Sequence, residues 1–389
     1  MTRDTPLFPN PLHVGRPNLP DRQAFIEKVH EIFDRNWLSN DGPFVIEFER
    51  RLAEIVGVKH VVAMCNATVA LEIAIRAAGI SGEVILPSFT FVATAHALSW
   101  QRIMPVFCEI NPGTHTIDPQ RIEELITPRT SAIIGVHTWG NPCEIAALTE
   151  IAARRGLTLM FDAAHAFGCS HKGQMIGRFG RAEVFSFHAT KFIPCGEGGA
   201  VATNDDELAD AMRLMRNFGF QGYDRVIHPG TNGKMGELSA AFGLCSLEQM
   251  PTIIEHNKAN YEHYRRAFAD VPGLSVIAYD DVEHNNYQYV VCEVCDVKCP
   301  LTRDELIRIL HSHNVLARRY FYPGVHRMEP YASLLPAASR VLPVTEDVAN
   351  RVLVLPTGLA VGSAEIDAIA AILKAATTVP SAAGPAVLL

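Results

Sequence analysis

The 389-residue sequence has no run of like charges, no second Cys-x2-Cys or His-x3-His pair, and no long apolar stretch at its start. Each gap removes a class of function. The net charge of −8 is spread along the chain. With neither a basic stripe nor an arginine-rich helix, a nucleic-acid partner is not expected. The opening MTRDTPLFPNPLHVG lacks both the apolar core of a secretory leader and a membrane-spanning segment, so a soluble, cytoplasmic protein without a membrane partner is expected. Internal repeats are also missing. Of nine cysteines, six stand singly, as thiols do in a reducing compartment. Cys292, Cys295 and Cys299, in VVCEVCDVKC, begin like a zinc site. The missing second half, and the β-branched and aromatic run YQYVVCEVCDV around them, favour a strand, so no metal is expected.

What is present is ordinary in bulk and patterned in detail. Hydrophobic residues make up 48% and charged residues 20%, as in soluble globular proteins, and the length allows a large core and two domains. DRQAFIEKVHEIFDR places Phe25, Val29, Ile32 and Phe33 on one helical face. PFVIEFERRLAEIVG opens on Pro43 and stops at Gly57, the usual asymmetry of a helix. Apolar runs follow at 60–64, 83–87, 104–110, 131–137, 157–162, 183–187 and 199–203, mostly separated by helical segments such as ATVALEIAIRAAG and CEIAALTEIAARRG. This predicts an α/β fold with a parallel or mostly parallel sheet covered on both faces. A long helical stretch at about 236–270 precedes strands SVIAY and YQYVVCEV, helix TRDELIRILHSH and strand VLARRYFY, which suggest a smaller C-terminal α+β domain. The expected division is an arm at 1–20, a large domain at 21–255, a small one at 256–375 and a disordered tail at 376–389.

In an open α/β sheet, ligands sit beyond the carboxyl ends of the strands, and three segments there carry chemistry. In CNATVAL, Asn66 can cap a helix whose first amides, at Ala67, Thr68 and Val69, would face a phosphate. In LTLMFDAAHAFG, Asp162 ends an apolar strand with His165 three residues on. A buried carboxylate needs a cationic or donating partner, which could be an internal arginine or a protonated pyridine nitrogen. In SFHATKFIPCGEGG, Ser186, His188 and Lys191 cluster between a strand and a glycine-rich turn. A lone lysine there is ordinarily solvated; the alternative is an amine kept for imine formation with a carbonyl. Together the segments supply what pyridoxal phosphate (PLP) requires: a Schiff-base lysine, an acid for the ring nitrogen and a helix N-terminus for the phosphate. A nicotinamide-binding fingerprint would need Gly-x-Gly-x-x-Gly after an early strand, and CNATVA stands there instead.

The segments WLSNDGPFVIEFE, PSFTFVAT, FDAAHAFG, SFHATKF-x3-GEGGAV and NFGF…GTNGKMGELSAAFGL resemble the DegT/DnrJ/StrS family of sugar aminotransferases, from about residue 8 to about 375. LHVGRPN, the Trp139-Gly140 dipeptide and SFHATK resemble its dTDP-4-keto-6-deoxyglucose 4-aminotransferases. The resemblance implies a fold-type-I PLP-dependent aminotransferase, a homodimer with active sites at the subunit interface. It makes Lys191 the Schiff-base lysine, Asp162 the partner of the ring nitrogen and His165 a neighbour of the cofactor's 3-hydroxyl. Phe91 falls at the position that stacks on the ring. Thr68, the Val69 backbone and Ser186 fall at phosphate positions, and Asn232 at the one serving the neighbouring subunit's phosphate. The family's GYNYRM pattern is broken, with Thr231 and Gly233 replacing two tyrosines and Lys234 an arginine. The implied reaction is two half-transaminations from L-glutamate through pyridoxamine phosphate to C4 of the ketosugar, with Lys191 as acid and base. His188 would tune that proton transfer, contact the sugar, or only hydrogen-bond its loop. Candidates for holding the nucleotide diphosphate are Arg318, Arg319, Tyr320, Tyr322 and His326, with at most one of the two arginines facing the site if the strand alternates. C3 amination, a ketosugar dehydratase and a non-catalytic regulator on the same fold are the competing readings. The known dehydratase variant carries histidine in place of the lysine.

Overall fold

The computed structural model describes residues 6–295, 297–336 and 341–378. Helix α1 (Arg22–Arg35) starts where the Asp21 carboxylate accepts from the Ala24 amide and ends at Asn36 in the left-handed region. Helix α2 (Pro43–Val56) starts on proline and ends at Gly57, φ 75°, where a side chain would strain the backbone. Seven strands then form the main sheet: β1 (His60–Met64), β2 (Glu83–Pro87), β3 (Met104–Cys108), β4 (Thr130–Val136), β5 (Thr158–Asp162), β6 (Ala182–Ser186) and β7 (Gly199–Thr203), in spatial order β1-β7-β6-β5-β4-β2-β3. All neighbours pair in parallel except β7, which runs antiparallel to both β1 and β6. The expected mostly parallel sheet is therefore found.

Its two faces are covered by separate apolar cores. One joins α1 and α2 residues such as Ile32 and Phe48 to Phe161 and Phe185. The other joins helix α3 (Ala67–Ala77) to Val84, Met160 and Val201. A third core, with Leu12, Tyr264, Val290 and Leu373, fills the smaller unit around an antiparallel sheet of Leu274–Val276, Val290–Val294 and Val352–Leu355. Between the two units lies an aromatic block that includes Phe89, Trp139, Tyr279, Tyr289 and Phe321. Among the described residues no helix is long and apolar enough to cross a membrane.

Three local expectations are corrected. The long helical stretch is two helices, Glu237–Glu248 and Met250–Ala267, and the second has proline in its first turn, which cannot continue a hydrogen-bonded helix from before it. The run VLARRYFY is a strand at Val315–Leu316, which pairs with Leu12–His13, with one further bridge from Arg318 to Val354. The chain then turns, with the Tyr322 amide donating to the Arg319 carbonyl. The last helix, Ser363–Thr378, continues into the segment expected as tail, because Ile366, Ile369 and Leu373 seat it on the small core. Residues 379–389 lie outside the described residues. The Cys-x2-Cys run is a strand, with Cys292 buried inside it and Cys295 exposed just beyond.

Candidate active site

The carboxyl ends of β1, β5 and β6 open into a cavity of about 530 Å³, and Asn66, Thr68, Val69, Phe91, Asp162, His165, Ser186, His188 and Lys191 are all on its wall. Sequence positions up to 125 residues apart thus meet at one point of the sheet. Asp162 ends β5 buried, yet no lysine, arginine or histidine among the described residues lies within ion-pair distance of it. The internal arginine considered above is not there. Its oxygens accept from the Thr94 hydroxyl (2.8 Å) and the Ala164 amide (3.1 Å). Burial raises its pKa, and these two donors and Lys191 only partly offset that. The Thr94 hydroxyl is itself 2.8 Å from that of Thr90. Such a carboxylate is suited to a cationic ligand group.

The Lys191 amine lies 3.3 Å from the Tyr289 hydroxyl. Burial pulls its pKa down to about 8, against an opposing pull from Asp162. At neutral pH roughly a tenth of it is the neutral, nucleophilic amine. His165 is buried, and its Nδ1 accepts from the Trp139 amide at 3.3 Å. That bond leaves the proton on Nε2. Burial, and then the Lys191 charge, hold its pKa well below the ordinary histidine value, so it stays neutral. Trp139 presents its amide because its backbone is left-handed, φ 65°. The dipeptide noted in the sequence is thus a device that orients His165.

At the start of α3 the Asn66 side chain accepts from the Val69 amide at 2.9 Å. The cap therefore uses the Val69 donor proposed for phosphate, and Ala67 and Thr68 offer the open amides of the first turn. Gly199 closes the cradle: a Cβ built there would collide with the Ala67 nitrogen. The cradle thus has donors, a helix N-terminus and a glycine where backbone approaches backbone, and its chemistry fits a phosphate ester. With Lys191 and Asp162 beside it, the residue set fits PLP.

Other expected residues fall less neatly. Phe91 is 59% exposed at the cavity mouth. Asn232 is exposed and is not on the wall of its own cavity. His188 is held in its loop, with Nδ1 2.9 Å from the Thr190 hydroxyl and accepting from the Thr190 amide, and with Nε2 toward Glu197 at 3.7 Å. His326 is fully buried between the Ser88 hydroxyl (2.6 Å) and Glu346 (3.1 Å), so it is corrected from a substrate ligand to a packing residue. Arg318 is bridged to Val354 through two backbone hydrogen bonds and the chain turns from Arg319, so the strand alternation reaches only the first of the two arginines. Both line an adjoining groove, shared with Tyr320 and Tyr322. Arg319 is paired with Asp304 at 3.2 Å, while the Arg318 guanidinium lies over the Tyr320 ring. Thr94, Tyr289 and Phe321 were not singled out from sequence. Thr94 stood in the quoted PSFTFVAT, three residues after Phe91, whereas Tyr289 gave no local signal.

Residues 20–374 match the DegT/DnrJ/EryC1/StrS aminotransferase family. The chain belongs to that family. Among similar proteins, a dTDP-4-amino-4,6-dideoxy-D-glucose transaminase of Shigella dysenteriae is 37% identical over 89% of this chain and 94% of its own. A GDP-perosamine synthase of Caulobacter vibrioides is 34% identical over 93% and 97%. Among solved structures, DesI in the presence of its TDP-sugar product superposes with a TM-score of 0.92 at 46% identity, over 96% of this chain and 95% of that one. The expected family and fold class both hold, and the DegT/DnrJ/EryC1/StrS member described here is an aminotransferase.

Proposed function

We propose that this aminotransferase uses PLP to move an amino group from L-glutamate to C4 of dTDP-4-keto-6-deoxy-D-glucose, giving dTDP-4-amino-4,6-dideoxy-D-glucose. The observation that carries the reaction class is the meeting of the Lys191 amine and the unpaired Asp162 carboxylate in one cavity beside the α3 N-terminus. The sugar rests on similarity to the Shigella transaminase and to DesI.

When bound, PLP supplies an electron sink that acidifies the C–H next to the transferred nitrogen. Asp162 would hold the ring nitrogen protonated, a role its raised pKa and lack of any other cation suit. The Ala67 and Thr68 amides, the Thr68 hydroxyl and Ser186 would hold the phosphate, and Phe91 would cover the ring. His165 would donate from Nε2 to the 3-hydroxyl. Lys191 Nζ would be the acid and base that carries the proton, a role its lowered pKa suits near neutrality. His188, whose Nδ1 is tied to Thr190, would use Nε2 to contact the sugar or to tune the proton transfer. Arg318, whose guanidinium has no carboxylate partner among the described residues, and Tyr320 are the diphosphate candidates in the groove beside the cavity.

The reading includes a dimer. Asn232 lies at the base of the hairpin Phe220–Gln221/Arg225–Val226, which carries Phe218, Tyr223 and Val226 exposed. An apolar projection of this kind supports a second copy covering it, with Asn232 serving the partner's phosphate. The deciding experiment is a panel of dTDP-, UDP- and GDP-linked 4-ketosugars and the 3-keto isomer, with L-glutamate as donor and 2-oxoglutarate as readout. The dTDP-4-keto-6-deoxy sugar should dominate, with UDP poorer and GDP negligible, because a wrong base leaves buried groups unpaired. Faster amination of the 3-keto isomer would overturn the regiochemistry, and a preference for GDP would overturn the nucleotide.

A further inference from the structure

Among the described residues the Lys191 amine has a single hydrogen-bond partner, the Tyr289 hydroxyl at 3.3 Å, and that hydroxyl has no other. Tyr289 sits in the strand-like run NNYQYVV, 98 residues from Lys191 in sequence, and nothing in the family motifs pointed to it. Its position is fixed by packing. The ring meets Trp139 edge-on at 5.4 Å and His165 at 4.5 Å, and the Tyr279 hydroxyl donates to the Tyr289 carbonyl at 2.8 Å. Burial, and then Tyr320, raise the phenol's pKa well above its ordinary value, so it keeps its proton. A buried tyrosine hydroxyl ordinarily finds a fixed polar partner. Here the partner is the one amine that must come and go.

We infer that Tyr289 is the docking partner of Lys191, holding the free amine against the cavity wall between the two halves of the transfer. The inference rests on the proposed PLP reaction for its meaning, though not for its geometry. The groups that face the amine are Asp162, His165, Tyr289 and Tyr320, with His188 and Glu197 on the outer wall of the cavity. Of these only the Tyr289 hydroxyl is within hydrogen-bond reach. The phenol can accept from the ammonium or donate to the neutral amine. Bonds to a charged group are the stronger, so the phenol favours the ammonium and opposes the effect of burial. Without it the amine should titrate lower and point less consistently.

The test uses the cofactor-free protein and competitive labelling with acetic anhydride between pH 6 and 10, following the Lys191 peptide by mass spectrometry. The wild type should give a midpoint near about 8. Tyr289→Phe should lower it by about 0.5–1 pH unit, since a net hydrogen-bond difference near 1 kcal/mol is close to that. Tyr289→Met, which fills the wall without a hydroxyl, should shift it the same way, and Tyr320→Phe should leave it in place. In the loaded enzyme Tyr289→Phe should lower kcat roughly tenfold with KM for glutamate changed less than about twofold, and the acid limb of the kcat profile should move with the labelling midpoint. An unchanged midpoint in both Tyr289 variants, or an equal shift in Tyr320→Phe, would overturn the inference. Failure of the ketosugar panel would instead sink the proposed substrate and leave the labelling result standing.

Discussion

Replacing Asp162 by Asn should make the cofactor-free protein more stable and the enzyme nearly inactive, a pairing that only a functionally placed charge explains. A carboxylate buried without an ion pair costs several kcal/mol. The Thr94 hydroxyl and Ala164 amide offset part of it, each by about 1.5–3 kcal/mol for a charged acceptor. About 1–3 kcal/mol should remain uncompensated. Asparagine keeps one oxygen for the Ala164 amide, turns its NH2 toward the Thr94 hydroxyl, which can accept, and sheds the charge. The urea midpoint of the cofactor-free variant should therefore rise by the equivalent of that amount at pH 8, with m unchanged. The pH dependence has a fixed sign. Asp162 has a raised folded pKa, so its contribution to stability is present below the ordinary carboxylate range and is lost as pH rises through the raised value. The gap between variant and wild type should therefore open as pH rises and close in acid. In the loaded enzyme, loss of the charged partner of the ring nitrogen should cost about 3 kcal/mol, or roughly 100-fold in kcat. The assay is urea unfolding at a series of pH values from 5 to 8, beside single-substrate kinetics. A variant less stable than wild type at pH 8, or a gap that does not change with pH, would refute the reasoning.

Purified protein should carry PLP in borohydride-reducible linkage on the peptide containing Lys191, and Lys191→Ala should lose multiple turnover while still binding PLP; protein that takes up no PLP would end the cofactor reading. Gly199→Ala should weaken PLP retention at least tenfold, because its Cβ meets the Ala67 nitrogen, and equilibrium dialysis against PLP would measure this. Thr94→Val removes one of two donors to Asp162, so the acid limb of the kcat profile should move to higher pH, and a profile that stays put counts against the Thr94–Asp162 bond. A mixed dimer of Asn232→Ala with Lys191→Ala should recover one intact site; an inactive mixture of two dimeric parents would remove the shared-site proposal.

The parts of the site that were legible in the sequence are those where one local rule decides. Asp162 is a charge at the end of an apolar strand, Asn66 a cap before a helix, and Lys191 a lysine between a strand and glycines. Each is read within its own segment. What was not legible depends on contacts between segments. Tyr289 reaches Lys191 from 98 residues away, and its strand-like surroundings read the same whether its ring packs or reacts. His165 is aimed by an amide made available by a positive φ at Trp139, a conformation no propensity assigns to tryptophan. His326 follows Pro323-Gly324, which suggests an exposed turn, but Ser88, at the end of β2, holds it in the interior. The aromatic run 315–322 satisfied the alternation of a strand, but Val315 and Leu316 pair with Leu12–His13, Arg318 bridges to Val354 alone, and the chain turns from Arg319.

The register of β7 has a consequence for how such a site changes over time. Gly199 is paired with Met64 on one side and Ser186 on the other, so the spacing between the α3 cradle and the Ser186 wall is set by two backbone ladders, about 4.8 Å per step. No loop length enters it. The groove wall that bears Arg318, Arg319 and Tyr320, by contrast, starts from a single bridge at Arg318 and continues as a turn carried by the smaller unit. Substitutions there can reshape what is admitted while the ladders keep their spacing, so new substrate preferences are accessible by single steps that leave the anchoring half of the site untouched.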